Sequence, residues 1–185
     1  MGRLETAPAR SRKDLLAAPV YEALTAWNTA TDPAQIQVAA IDPDLADTAA
    51  FCAEYEVGLD VSANCVVVAG KREGAQRFAA CMVLATTRAD VNNVVRRLLD
   101  VRKASFAPMD VAVIETGMEY GGITAIGLPS SWPIFVDAAV AATPYVVIGS
   151  GVRRSKILLP GATLAELPNA QVVDGLAAPV AAPNA

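Results

Sequence analysis

The stretch that most constrains the fold is NCVVVAGKREGAQRFAACMVLA, residues 64–85. Residues 64–70 form a run of β-branched and small apolar residues, which predicts a buried strand. KREG is a turn sequence that ends in glycine, and residues 76–85 return as a second apolar run. Two such runs joined by a short turn predict a β-hairpin, so the chain must build a sheet around it.

Helices and further strands are predicted around this hairpin at irregular intervals. Prolines at helix starts (Pro43, Pro108) and glycines at helix ends (Gly58, Gly117) mark several of the helices. The predicted helices cover residues 19–28, 42–58, 89–100 and 108–117, with a helical turn at 161–168. The remaining predicted strands cover residues 34–42, 103–107, 133–137, 145–151, 155–160 and 170–175. Hairpins with irregularly inserted helices favour an α+β fold with a mixed or antiparallel sheet over a regular parallel βαβ sheet.

A length of 185 residues suits one domain. We expect residues 19–176 to form that domain, residues 1–18 to be a flexible extension, and the Ala/Pro-rich residues 177–185 to be a disordered tail. The N-terminus has no apolar core of the kind that a secretory signal needs, and no run of 18 apolar residues occurs. These features predict a cytoplasmic protein without a membrane span.

Charge is unevenly distributed along the chain. The net charge is −4, but residues 1–60 carry four basic and ten acidic residues, whereas basic residues cluster at 96–103 and 153–156. Basic patches on an acidic protein suit occasional contact with a polyanion. They do not indicate a constitutive nucleic-acid or DNA binder, and ordinary solvated surface charge explains the counts equally well.

The chain has no histidine, which excludes several catalytic arrangements. A Ser-His-Asp triad, a Cys-His pair and a histidine-ligated metal are all impossible. The cysteines Cys52, Cys65 and Cys81 lack the spacing of a metal site and are expected to be reduced thiols in the core. We therefore expect neither a metal nor a cofactor.

Two glycine clusters remain as candidates for chemistry. One lies in GMEYGGITAIGLPSSWPIFVD, residues 117–137, and contains Gly121 and Gly122; the other is Gly149-Ser150-Gly151. Backbone N–H groups at such places can bind an anion or stabilise an oxyanion. An ordinary turn is the alternative explanation for each cluster taken alone.

The order of segments resembles the YbaK/prolyl-tRNA editing family, also called the aminoacyl-tRNA deacylase family. The resemblance is carried by NCVVVAGK, RKASFAPMDVAVIETGMEYGGITAIGLP, WPIFVD and VVIGSGVRRSKILLP, and runs from about Asp47 to Val173. It implies an α+β fold with a mixed, largely antiparallel and partly barrel-like sheet surrounded by helices. It also implies a freestanding, trans-editing hydrolase that cleaves the ester of mischarged aminoacyl-tRNA, with the tRNA(Pro) type as one candidate, and no cofactor.

The resemblance also implies a set of site residues. Catalysis would involve position 64 and the backbone of the second glycine cluster, opposite a substrate-binding loop in the first. The residues concerned are Asn64, Gly149, Ser150 and Gly151 for catalysis; Gly121, Gly122, Ile123, Thr124 and Ala125 for the substrate; and Arg153, Arg154 and Lys103 for tRNA phosphates.

Two positions depart from the family pattern. Asn64 stands where the family has a lysine that holds the substrate, and Ala125 stands where many members have proline. Asparagine offers hydrogen-bond donors and an acceptor but no positive charge. Two hypotheses follow: a deacylase that works without that lysine, or a catalytically inactive relative that binds an aminoacyl-adenosine-like ligand, tRNA or a protein partner.

Overall fold

The computed structural model describes residues 2–180. Eleven strands lie in this part of the chain. They are β1 (Thr6–Pro8), β2 (Gln37–Ala40), β3 (Ala63–Arg72), β4 (Ala75–Leu84), β5 (Thr87–Ala89), β6 (Ala104–Phe106), β7 (Ile134–Asp137), β8 (Val146–Gly149), β9 (Ser155–Leu159), β10 (Ala170–Val173) and β11 (Ala177–Pro179).

The strands form three sheets. An antiparallel sheet has the order β1-β2-β9-β8, a five-stranded sheet has the order β10-β7-β4-β3-β6, and β11 pairs with β5. The five-stranded sheet is mixed, because β7 lies parallel to β4 and to β10. The expected α+β architecture with a mixed sheet is confirmed. Within residues 2–180 the strands do not close into a barrel; one parallel bridge between Ser62 and Val147 joins the two larger sheets at a corner.

Short helices surround the sheets. The α-helices are α1 (Ala18–Thr25), α2 (Thr48–Tyr55), α3 (Arg96–Leu98), α4 (Met109–Thr116) and α5 (Ala138–Ala142). Single 3-10 turns cover Ala9–Ser11, Lys13–Leu15, Pro33–Gln35 and Pro43–Leu45, a longer 3-10 segment covers Gly161–Glu166, and a π-helical turn covers Val91–Val95. None of the helices in the described residues is long and apolar enough to cross a membrane.

The central hairpin is as predicted, and α4 begins after Pro108 and ends at Gly117 as expected. The predicted helix over residues 42–58 is instead divided. Asp42 caps the 3-10 turn, Asp47 caps α2, and the helix ends at Glu56, which adopts a left-handed conformation with φ 54°. Two separate Asx caps a few residues apart explain the division, because each offers its own acceptor to a new helical start.

The expectation of a flexible extension over residues 1–18 is wrong for the residues that the structure describes. Strand β1 pairs with β2, and Leu15 and Leu16 are buried in the main core. The hydroxyl of Ser155 donates to the carbonyl of Leu15 at 2.5 Å. The expectation of a disordered tail is likewise wrong for Ala177–Pro179, which form β11; residues 181–185 lie outside the described residues.

The two glycine clusters contact each other through their main chains. A Cβ atom on Gly122 would lie 2.6 Å from the carbonyl carbon and oxygen of Val152. A Cβ atom on Gly149 would lie closer than 3.0 Å to the carbonyl oxygens of Gly122 and Ile123. The amide of Gly151 also donates to the carbonyl of Gly122 at 2.7 Å. The glycines at positions 122 and 149 are therefore required by the close approach of two loops.

Replacement of Leu16 by alanine should destabilise the protein by about 2–5 kcal/mol, because it removes buried methyl groups and leaves a cavity in the main core. Urea unfolding followed by circular dichroism measures this change. The control is Glu5→Ala in the same segment, at an exposed side chain. Equal urea midpoints for the two variants would indicate that the N-terminal segment is not packed into the core.

Gly149→Ala should lower the unfolding midpoint more than Gly74→Ala. The new methyl group at position 149 would meet backbone atoms of the neighbouring loop, and overpacking of this kind costs about 1–3 kcal/mol. At Gly74, where φ is 84°, a methyl group meets nothing within 4 Å, so only backbone strain is added. The same urea titration compares them, and a smaller loss at position 149 would contradict the proposed loop contact.

Candidate active site

A pocket of about 270 Å³ opens at the corner where the two larger sheets meet. The amide of Val147 in β8 donates to the carbonyl of Val61 just before β3, which holds the two strands side by side. The start of α2 and the first glycine loop cover this corner. The lining residues are Ala46, Asp47, Thr48, Phe51, Ser62, Ala63, Asn64, Cys65, Tyr120, Gly121, Ile123, Val147, Ile148, Gly149, Arg153 and Lys156.

Asn64 lies in the wall of the pocket, as the resemblance implies. It is half-buried near the start of β3, and its side-chain oxygen accepts a hydrogen bond of 2.8 Å from the hydroxyl of Thr48 in α2. This bond fixes the amide plane. It leaves the two Nδ2 hydrogens of Asn64 as donors for a ligand carbonyl or hydroxyl.

Lys156 is a charged lining residue that was not predicted from the sequence. It lies in β9, paired in register with Gly149 of β8, and is only 8% exposed. Its Nζ donates to the carbonyl of Ala46 at 3.1 Å and lies 5.2 Å from the centre of the Phe51 ring. The sequence signal for this burial is SKILLP, where one lysine interrupts an otherwise apolar strand. Its closeness to Arg153 and Arg154 instead suggests a basic surface segment.

The surroundings of Lys156 disfavour its charged form. Burial lowers the pKa of the ammonium group, and nearby Arg153 lowers it further, while Cys52 and Asp47 act in the opposite direction. Asp47 itself is exposed at the pocket edge, and its carboxylate accepts from the amide of Ala49. The pocket thus holds a desolvated cation, with one acidic side chain at its rim.

The thiol and hydroxyl groups at the pocket are poor nucleophiles. Burial raises the pKa of Cys65, which therefore stays protonated. The hydroxyl of Ser62 lies 3.3 Å from the sulfur of Cys52. Since the chain has no histidine that could act as their base, the arrangement favours attack by water over a covalent intermediate.

Only two of the five predicted substrate residues reach this pocket. Gly121 and Ile123 line it. Gly122 instead packs on the main chain of Val152. Thr124 is fully buried, and among residues 2–180 its hydroxyl has no hydrogen-bond partner. Ala125 is buried beside a different cavity of about 330 Å³, which also includes Trp27 and Leu128.

From the second glycine cluster, only Gly149 lines the pocket. Ser150 is fully buried, and its hydroxyl bonds to the hydroxyl of Ser155 at 2.7 Å. The amide of Gly151 is already bonded to the carbonyl of Gly122. The structure therefore does not offer Ser150 or the Gly151 amide to a ligand. The Ser150 hydroxyl is bonded within its own turn, to Val152 and Ser155, and the Gly151 amide joins this turn to the first glycine loop.

The basic residues predicted to contact tRNA are separated. Arg153 lies at the pocket edge, where its guanidinium donates to the carbonyl of Pro43 at 2.9 Å, and Arg154 is exposed beside it. Lys103 lies beside Gly70 near the far end of β3. Gly70 is six residues from Asn64, which corresponds to roughly 20 Å of strand. Lys103 is therefore not part of this site.

Asp137 has a structural role. It is buried at the end of β7, where its carboxylate accepts from the amide of Ala139 at 2.9 Å and from that of Ala177 at 3.0 Å. It does not line the pocket. Within residues 2–180 no group of His, Cys, Asp and Glu side chains is arranged to hold a metal ion.

Comparison with solved structures shows which fold this is. A protein proposed to be a trans-editing enzyme for prolyl tRNA synthetase superposes with a TM-score of 0.70 at 20% identity, over 85% of this chain and 94% of that chain. The hypothetical protein APE2540 superposes with a TM-score of 0.68 at 18% identity, over 77% and 91% of the two chains. At these identities the likeness establishes the fold.

A scaffold protein designed to present linear epitopes shares the same fold, with a TM-score of 0.70 at 19% identity over 85% of this chain and 95% of that chain. No curated protein matches the chain at a significant level. The family described as the aminoacyl-tRNA editing domain matches residues 42–167, which is more than half of the chain and includes every residue that lines the pocket. This protein therefore belongs to the aminoacyl-tRNA editing domain family.

Proposed function

We propose that the protein is a freestanding aminoacyl-tRNA deacylase that hydrolyses the ester between a wrong amino acid and the 3′ end of tRNA. The observation that carries the proposal is the pocket at the sheet corner. In a chain of the editing family, it combines the free amide donors of Asn64 with a buried ammonium group and a main-chain wall at Gly149. These groups suit an ester carbonyl, which accepts hydrogen bonds and gains negative charge during hydrolysis.

The reaction needs only water as co-substrate. The water oxygen forms a bond to the carbonyl carbon, and the bond from that carbon to the ribose oxygen breaks. One water proton goes to the departing ribose oxygen, which becomes the free hydroxyl of the tRNA. The amino acid leaves as a carboxylic acid and ionises in solution. Asn64 would orient the carbonyl or the neighbouring ribose hydroxyl, because its Nδ2 hydrogens are not used by Thr48.

The size of the pocket supports a small aminoacyl group. A volume of about 270 Å³ lies at the lower end of small-ligand sites. Editing is needed for small side chains in particular, because one methylene gives a synthetase only about 1–3 kcal/mol of discrimination. Together with the likeness to a protein proposed to edit for prolyl tRNA synthetase, this size makes alanyl and cysteinyl esters of tRNA(Pro) the first candidates.

The edge of the pocket could also meet the phosphates of the tRNA acceptor end. Arg154 is exposed next to Arg153, at the loop that forms this edge. The guanidinium of Arg154 donates to the carbonyl of Asp14 at 2.8 Å, which holds it in place. A preplaced cation of this kind favours phosphate contact without reading the sequence of the RNA.

A second function is favoured by one observation, the asparagine at position 64. In this alternative the protein is a catalytically inactive member that keeps the pocket and binds an aminoacyl-adenosine-like ligand, tRNA or a protein partner. Both functions use the same pocket, so binding alone does not distinguish them. Hydrolysis of a mischarged tRNA does, because only a deacylase turns the substrate over.

Purified wild-type protein should hydrolyse at least one member of a panel of mischarged tRNAs that includes Ala-tRNA(Pro) and Cys-tRNA(Pro). Asn64→Ala should lower kcat/KM about fivefold, since it removes one hydrogen bond worth about 1 kcal/mol. The control is Asn92→Ala, at an exposed asparagine. No turnover by the wild type, together with turnover by Asn64→Lys, would support the inactive alternative.

Arg154→Ala should raise KM for the tRNA substrate at physiological salt and leave kcat nearly unchanged. It should also reduce the slope of log affinity against log salt by about 1, because one phosphate contact is lost. Lys103→Ala is the matched control, since Lys103 is equally exposed but remote from the pocket. A larger effect at Lys103 would place the tRNA on another face of the protein.

A further inference from the structure

Lys156 is a buried cation with very little compensation. Its ammonium has three N–H donors, and the structure supplies one hydrogen-bond acceptor, the neutral carbonyl of Ala46. Among residues 2–180 no carboxylate lies within ion-pair distance of it. Buried lysines are usually paired, because removing an ammonium from water without a partner is costly.

The neighbours of Lys156 would suit an apolar side chain better. Its strand neighbour Leu158 packs in a small cluster with Phe51 and Val147, between β9 and α2. Alternation along β9 places Lys156 on this same face. A lysine at this position therefore interrupts an apolar cluster, and it does so only where that cluster borders the pocket.

A purely structural role does not explain why a charged side chain is buried at position 156. Bonding one carbonyl at the end of the 3-10 turn Pro43–Leu45 needs a single donor, which a neutral side chain could provide without a desolvated charge. The ring of Phe51 adds a weak cation–π contact. Two N–H donors remain beside the pocket cavity, with no acceptor from the described residues.

We propose that Lys156 is a catalytic residue, whose ammonium group binds the carbonyl oxygen of the aminoacyl ester and stabilises the negative charge that develops there during attack by water. This inference rests on the proposed function. In this mechanism the positive charge that faces the oxyanion comes from Lys156 of β9, whereas Asn64 of β3 contributes only neutral hydrogen bonds. The two residues belong to different sheets, so the pocket at the sheet corner brings their donors to one ligand.

The register of β9 supports this placement. Lys156 pairs with Gly149, the one residue of the second glycine cluster that lines the pocket. Because glycine has no side chain, nothing from position 149 stands between the Lys156 strand and the cavity. In a water-poor site, a charged donor aimed at the developing oxyanion is worth far more than the same group in water.

The test compares Lys156→Met and Lys156→Arg with the wild type on a mischarged tRNA that the wild type hydrolyses. Methionine keeps the length and apolar stem of lysine, and arginine keeps the charge. We expect Lys156→Met to lower kcat by about 10²–10³ with a much smaller change in KM, as for loss of one oxyanion donor. Lys156→Arg should recover part of the loss. Lys71→Met, at an exposed lysine that does not line the pocket, is the control and should retain full activity.

Thermal unfolding separates catalysis from folding. Lys156→Met should have a Tm equal to or above that of the wild type, because it removes a buried charge. Full activity of Lys156→Met would overturn the proposal and leave the deacylase function standing. A loss of activity together with a lower Tm would assign Lys156 a structural role and also overturn it.

If the wild type hydrolyses no tRNA in the panel, the proposed function fails, and binding still tests Lys156. The probe is 3′-alanylamino-adenosine, in which an amide replaces the ester, measured by calorimetry. Binding at least tenfold weaker in Lys156→Met than in the wild type would support contact with the carbonyl. Equal binding by both proteins would overturn it.

Discussion

The contact between two glycine loops, with no side chain between them, determines where the pocket lies. Gly122 rests on the main chain of Val152, and Gly149 faces the carbonyls of Gly122 and Ile123. The amide of Glu119 donates to the carbonyl of Gly151, which adds a further bond between the same loops. This contact fixes the first loop over the corner of the two sheets, and the pocket is the space left beneath it.

Sequence patterns were sufficient for some of the local structure. The hairpin of β3 and β4 was predictable because a β-branched run, a turn sequence and a second apolar run lie next to one another. Helix α4 was predictable from Pro108 and Gly117. The packing of residues 2–18 was not, because the short strand β1 has too few residues to show a period and depends on pairing with β2.

The site was predictable only in part, for a related reason. Asn64 and Gly121 were found because they lie in segments that resemble a known family. Lys156 was missed because a lysine in a short apolar strand shows neither its burial nor its partner in the sequence. Its position depends on β9 pairing with β8 and on α2 placing Phe51 beside it, and both are long-range contacts. Other contacts occupy the Ser150 hydroxyl, which bonds to Ser155, and the Gly151 amide, which bonds to Gly122; their residue types alone did not show this.

The catalytic benefit of a buried cation in the pocket and its cost to the folded state have the same physical basis. A site that must stabilise a developing oxyanion benefits from a cation held out of water, and the same desolvation makes that cation costly for the folded state. Burial between β9 and α2 lowers the pKa of Lys156 below that of a free lysine. In the proposed mechanism, the asparagine at position 64, held by Thr48, would orient the substrate without adding a second buried charge.

The most direct test of this account is a crystal structure of the wild-type protein with 3′-alanylamino-adenosine bound. The account predicts that the aminoacyl group occupies the corner pocket, with its carbonyl oxygen about 2.7–3.1 Å from Nζ of Lys156 and the Nδ2 atom of Asn64 within hydrogen-bond distance of the ligand. A ligand bound in the cavity beside Trp27 and Leu128, or one in the corner pocket whose carbonyl points away from Lys156, would contradict it.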